Sequence, residues 1–223
     1  TGGRYFGAPR TTSTSNIVLN LDSRSTQPAT GTFSTADPSS FTSSTSQSVF
    51  DSKGNPHTFS LYFVKTATAG QWDMYSSLDG STPGAATTLS FDTGGLLTTG
   101  MPLTQSFALT NGATTPLAFT FDMSGSTEFG NVFGVNQMIQ DGYTSGRLSG
   151  ISISGDGIVQ GRYSNGQASN LGQIVLVNFN NPNGLLALGG NQWAETPDSG
   201  QPLVGVPNTG SLGALQSAAV EES

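Results

Sequence analysis

Gly150-Ile151-Ser152-Ile153-Ser154-Gly155-Asp156-Gly157-Ile158-Val159-Gln160-Gly161-Arg162-Tyr163-Ser164-Asn165-Gly166 is the stretch that decides the fold class. Ile151 and Ile153 alternate with Ser152 and Ser154, the period-two pattern of a half-buried strand. Gly155-Asp156-Gly157 supplies residues that tolerate the positive φ of a tight hairpin. Ile158 and Val159 restart a strand, and Ser164-Asn165-Gly166 closes the next turn. The run carries no group that does acid–base chemistry by itself, so it reads as scaffold.

The same grammar extends both ways. With 30 Gly and 11 Pro among 223 residues, periodic segments are short and turns frequent, which predicts an all-β fold. Residues 1–13 read as an irregular lead-in or linker, native or not. Residues 16–22 form a first strand with Ile17, Leu19 and Leu21 on one face. Residues 23–46 are Ser/Thr/Pro-rich and read as a long surface loop. Strands follow at 48–50 and 58–64 around the turn Asp51-Ser52-Lys53-Gly54-Asn55-Pro56, then at 71–75, 88–91, 95–97, 107–109 and 117–121. Residues 124–140 show no clear period. Residues 171–179, with Ile174-Val175-Leu176-Val177, read as one strongly apolar strand. Helical tendency is confined to residues 211–220. Loops before residue 140 are long and Ser/Thr-rich and turns after it are tight and Gly/Asn-rich, so a domain boundary is expected there, with flexible connections near 11–14 and 138–142.

Composition narrows the function classes. There is no cysteine, so disulfides and thiolate metal sites are excluded, and one histidine excludes a multi-histidine metal site within the chain. Charged residues are only 9% and the net charge is −7, which argues against electrostatic nucleic-acid binding. No apolar run reaches the length of a membrane-spanning helix. A surface covered by Ser, Thr, Asn, Gln and Gly repels its own copies weakly, which suits packing of like against like.

Candidate chemical groups all have bland readings that outweigh the sharp ones. His57 reads as a surface or strand-edge histidine, not a base or ligand. Gly155, Gly157 and Gly161 lack the spacing of a dinucleotide fingerprint and read as hairpin residues. Asp92, Asp122, Asp141 and Asp156 each sit at a turn or strand end, where Asp is common, so a glycosidase pair is not assigned. Asp156 alone falls far short of a calcium cage. Trp72 and Trp193 read as packing anchors ahead of sugar-stacking platforms. No catalytic, cofactor-binding or metal residue is assigned, no cofactor is implied, and the chain is not expected to be an enzyme.

Four separated segments resemble the bacterial flagellar hook proteins. They are Val49-Phe50-Asp51-Ser52-Lys53-Gly54-Asn55-Pro56-His57-Thr58-Phe59-Ser60-Leu61-Tyr62-Phe63-Val64-Lys65-Thr66 with Trp72; Gly155 through Gly166; Leu171-Gly172-Gln173-Ile174-Val175-Leu176-Val177-Asn178-Phe179; and Asn191-Gln192-Trp193-Ala194-Glu195-Thr196. Residues 213–223 resemble the lead into that family's C-terminal helix. The resemblance implies two β domains. Residues 14–140 correspond to the outer barrel- or sandwich-like insertion, and residues 141–223 to the C-terminal part of the middle domain. The family's N-terminal helix and the first part of the middle domain are not recognised, which implies a fragment, monomeric by itself.

The resemblance further implies a structural subunit of a flexible, hollow universal joint that carries torque from motor to filament. Its partners would be identical subunits in a helical tubular polymer, and the hook cap, distal rod and hook–filament junction proteins, but neither nucleic acid nor membrane. Its place would be extracellular, in the flagellar hook and basal body, after export by the flagellar type III apparatus. The alternatives are a distal rod subunit, which the large insertion disfavours, and a β-sandwich carbohydrate-binding or adhesin module.

Overall fold

The computed structural model describes residues 6–210 and 212–216. It divides into two compact units, residues 8–145 and residues 1–7 with 146–223. In chain order the strands are β1 (Phe6–Gly7), β2 (Thr14–Asp22), β3 (Ser43–Phe50), β4 (Pro56–Lys65), β5 (Gln71–Leu78), β6 (Thr87–Ser90), β7 (Leu103–Phe107), β8 (Leu117–Asp122), β9 (Thr127–Phe129), β10 (Gly134–Gln140), β11 (Gly146–Ile153), β12 (Ile158–Tyr163), β13 (Ala168–Gln173), β14 (Leu176–Asn178), β15 (Leu186–Gly189), β16 (Gln192–Ala194) and β17 (Leu203–Gly205). Single 3-10 turns lie at Pro38–Ser40 and Pro182–Gly184. The fold is all-β. Residues 212–216 of the segment read as weakly helical are irregular, and its remaining residues lie outside the described ones.

The 8–145 unit is a sandwich built on period-two alternation. One sheet is the antiparallel meander β3-β4-β5-β6. In β4, Phe59, Leu61 and Phe63 are buried while Ser60, Tyr62 and Val64 on the other face are only partly covered. The second sheet has the order β10-β2-β8-β7, with β9 also on β2. Strand β2 pairs in parallel with β8 at its start and with β9 at its end. Ser126 bridges the break between them: its hydroxyl accepts the Leu19 amide at 3.2 Å, so a buried backbone donor is not lost.

Ile17, Leu19, Leu21, Phe59, Leu61, Phe63, Trp72, Phe119 and Phe121 from the two sheets form one buried cluster. Phe59 meets Phe107, Phe119 and Phe121 edge-on at 5.8, 5.1 and 5.4 Å. Each such ring contributes about 1.5–3 kcal/mol by burial alone.

Several expected elements change. The loop read as 23–46 ends at Ser43, where β3 begins, and it is anchored on the outer face of the meander. There Phe33 stacks on Tyr75 at 4.0 Å and Phe41 meets Tyr62 at 5.1 Å. Residues 95–97 make isolated bridges only, and β7 ends at Phe107, the first residue of its expected span. The unreadable 124–140 segment holds β9 and β10. The segments near 11–14 and 138–142 are hydrogen-bonded to each other through Asp141 and Gln140.

The second unit holds the sheet β1-β11-β12-β13 and the ribbons β14-β17 and β15-β16. The end of the lead-in is ordered: Phe6 and Gly7 pair with Arg147 and Gly146, and Tyr163 lies so close over Gly7 that an added Cβ would stand 3.2 Å from its ring. The 171–179 segment is not a single buried strand. It breaks between β13 and β14: the Ile174 amide donates to Gly157 O at 2.8 Å, extending the β12–β13 ladder by one bond, and β14 then pairs with β17 instead. Leu171, Ile174, Val175 and Val177 are 36–56% exposed, and Ile151 is exposed as well. Hydrophobicity there does not mark an interior, since no described side-chain layer covers these residues.

Candidate functional site

A polar cluster in the 8–145 unit centres on Asp51, His57 and Asp79. Strand β3 delivers Asp51 into a turn that its own carboxylate closes. Oδ1 accepts the amides of Lys53 and Asn55 at 2.8 and 2.9 Å. Oδ2 accepts Asn55 Nδ2 at 2.9 Å and Asn111 Nδ2 at 2.7 Å. His57, at the start of β4, places Nε2 3.3 Å from the same oxygen and Nδ1 2.6 Å from Asp79 Oδ2. Asp79 also accepts the Thr58 amide at 2.7 Å.

Burial opposes the charge on Asp51, but hydrogen bonds from Asn55, Asn111 and His57 outweigh it and hold its carboxyl well below the usual range. Burial likewise opposes the charged imidazole, and Asp79 and Asp51 outweigh it, raising the His57 pKa. Asp79 is lowered, burial working against and His57 and the Thr58 amide working for its ionised form.

His57 is therefore neither a surface histidine nor a free base. Its side chain is 9% exposed, and both nitrogens are occupied by carboxylates. It borders a cleft of about 840 Å³ lined by Ser76, Thr82, Gln105, Ser106 and Asn111 among others. The hydroxyls there are engaged in packing: Ser76 donates to Gln105 Oε1 at 2.8 Å, and Ser81 accepts the Leu78 amide at 3.2 Å. Such geometry holds turns together.

Sequence reasoning missed Asp79 as the partner of His57. The usable signal was hairpin register: pairing Phe59 with Leu78 sets Asp79 beside Thr58.

The other candidates disperse. Asp92 Oδ1 accepts the amides of Gly94 and Leu96, and Asp122 Oδ1 that of Ser124. Asp156 receives Asn208 Nδ2 at 3.3 Å. Asp141 accepts the amides of Ser13 and Thr14, the Ser13 hydroxyl and the Arg10 guanidinium. Among the described residues no group of three His, Cys, Asp or Glu is placed to hold a metal. Gly157, at φ 79°, closes the β11–β12 hairpin. Gly161 is no turn residue: it lies inside β12, where Leu148 and Leu171 fill the space of a Cβ.

The tryptophans part company. Trp72 is fully buried, its Nε1 donating to Glu128 at 3.0 Å while Lys65 Nζ lies 4.9 Å above its ring and pairs with Glu128. Trp193 is 63% exposed on β16, which overturns the expectation that it anchors packing. With Trp72 inside the core, the sugar-platform alternative loses half of its support.

The fold is all-β, its polar clusters close turns, and its second unit turns apolar side chains outward. Comparisons with known proteins define the class. The family model described as flagellar basal body protein FlaE D2 domain matches residues 20–143. The chain is 38% identical over 225 residues to the flagellar hook protein FlgE of Salmonella typhimurium, covering 97% of this chain and 55% of that protein. It is 39% identical to the FlgE of Escherichia coli over 97% of this chain and 54% of that one. The chain thus spans about half the length of these relatives. The crystal structure of Helicobacter pylori flagellar hook protein FlgE2 aligns over 73% of this chain and 39% of its own, at 21% identity and a TM-score of 0.46. This chain belongs to the flagellar hook protein family.

Proposed function

We propose that the chain is the outer β portion of a flagellar hook subunit, a structural part of a hollow, bendable tube that transmits torque from motor to filament. The observation that carries this reading is the 38% identity to a hook protein across 97% of the chain. Residues 14–140 serve as the outer domain and residues 141–223 as the C-terminal part of the middle domain. Identical subunits are its principal partners, and the hook cap, distal rod and hook–filament junction proteins bound the polymer. The subunit reaches the cell exterior through the flagellar type III apparatus. It performs no catalysis: its work is mechanical.

The surface chemistry supports the mechanics. Low charge and abundant Ser, Thr, Asn and Gln give contacts that exchange through water, so neighbours slide without breaking a dry seal or a specific ion pair. Stiffness within each block comes from hydrogen-bonded ladders. Antibody raised against residues 8–145 tests the reading on purified hook–basal bodies. Labelling along the curved segment between basal body and filament is expected. Labelling confined to the rod, or normal swimming by a strain lacking the protein, would overturn it.

A further inference from the structure

His57 is the only histidine in the chain, and it is gripped from two sides. A neutral imidazole has one N–H to donate and presents a lone pair at its other nitrogen. Facing two carboxylates at 2.6 and 3.3 Å, the neutral ring satisfies one and repels the other. Only the imidazolium donates to both. The groups around it fix which contact yields. Asp51 is fully buried and held by four other donors, from Lys53, Asn55 and Asn111. Asp79 has a half-exposed side chain and only the Thr58 amide besides His57. The remaining charged group nearby is Lys53, whose Nζ is spent on Asn111 O. The 104–111 segment across the cleft brings no titratable side chain.

We propose that His57 is a proton-operated clasp between two turns. As the imidazolium it ties the 51–55 turn to the 79–84 turn. When the proton leaves as pH rises, the ring keeps Asp79 and abandons Asp51, and the 79–84 turn is no longer tied to the 51–55 turn. Burial opposes the charged ring and the two carboxylates prevail, so the clasp stays closed to a higher pH than a free imidazole would keep its proton. A group whose folded pKa lies above the unfolded one stabilises the fold fully below the unfolded value, about 6.5. That stabilisation fades as pH rises through the folded value. The proposal concerns the unit by itself and does not depend on what it assembles into.

The test is an NMR titration of the full chain between pH 5 and 9. One histidine means that its ring signals need no assignment by mutation. Both ring nitrogens should be protonated at pH 6.5, with a midpoint above 6.5. The amides of residues 52–54 and 79–82 should move with that same midpoint. Asp79→Asn should lower the midpoint by roughly one unit, a tenfold change in proton affinity. His57→Gln, which can still hydrogen-bond, should abolish the amide titration. A ring that is neutral at pH 6.5, or amide shifts that persist in the His57→Gln protein, would overturn the clasp.

Discussion

At the scale of single residues, carboxylates in this protein hold distant backbone together. Asp141 is the clearest case. It stands just after β10 and accepts the amides of Ser13 and Thr14 at 2.8 and 2.9 Å, at the point where β2 begins. Burial opposes its charge, but the Ser13 hydroxyl, the two amides and the Arg10 charge prevail and bring its pKa to about 2. Asp141→Asn keeps the size and loses the charge, and should cost about 1–2 kcal/mol at pH 7. Because the folded pKa is depressed, that stabilisation exists above the unfolded value of about 3.9 and is lost as pH falls through about 2. Urea midpoints should therefore separate wild type from variant at pH 7 and converge near pH 2. A gap unchanged at pH 2 would mean that shape, not charge, supplies the difference. Asp141 was legible as a turn residue but not as a strap, because its partners are more than 125 positions away. The same holds for His57 and Asp79, 22 positions apart. Spacing along a chain reports only local chemistry, and in a sheet protein the decisive neighbours come from strand register.

At the scale of elements, alternation was a reliable guide where one face is buried and a poor one elsewhere. Strands β2, β4 and β8 announce themselves through Ile17, Leu19 and Leu21, through Phe59, Leu61 and Phe63, and through Leu117, Phe119 and Phe121, all of them core residues. Strand β10 is invisible in sequence because it is an edge, exposed along most of its length and bulged between Val135 and Gln137, so neither face imposes a period. The 171–179 run failed in the opposite sense: its residues are apolar, but they stand exposed on the sheet-edge strand β13, the ribbon strand β14 and the residues between them. Glycine turns were read correctly at Gly157 and Gly166, and the two differ in a testable way. Both have φ near +80°. A Cβ on Gly157 would stand 2.7 Å from Ile174 O and 2.8 Å from Pro207 Cγ, whereas nothing lies within 4 Å at Gly166. Gly166→Ala should cost only the left-handed backbone strain, about 1 kcal/mol. Gly157→Ala adds a clash at the carbonyl next to the Ile174–Gly157 hydrogen bond and should cost about 2–3 kcal/mol. Amide exchange at Ile158 and Ile174 should accelerate in Gly157→Ala alone. Equal behaviour of the two variants would mean that the hairpin shifts to absorb the methyl group.

At the scale of the molecule, the two units differ in what holds them. Every member of the main buried cluster belongs to the 8–145 unit. In the other unit Leu186, Leu188, Leu203 and Trp193 are 57–63% exposed, so its ribbons rest mainly on backbone ladders. Short two-stranded ribbons without a covered face are marginal in water, and burial near 25 cal/mol per Å2 is the term they forgo. Stability should then be unevenly spread, with local opening far easier in the ribbons than in the sandwich. The two tryptophans report this directly, Trp72 from inside the sandwich and Trp193 from an exposed ribbon. In Trp193→Phe the remaining emission should be blue-shifted and follow a single, late urea transition. In Trp72→Phe the emission should be red-shifted already in buffer and change at lower urea, while circular dichroism of the same sample retains most of its strand signal. Hydrogen exchange should rank the segments in the same order, with residues 57–65 and 117–123 protected longest and residues 176–205 exchanging first. Coincident transitions from both single-tryptophan proteins would show that the ribbons draw on the stability of the sandwich, and the account of an unevenly stabilised subunit would fall.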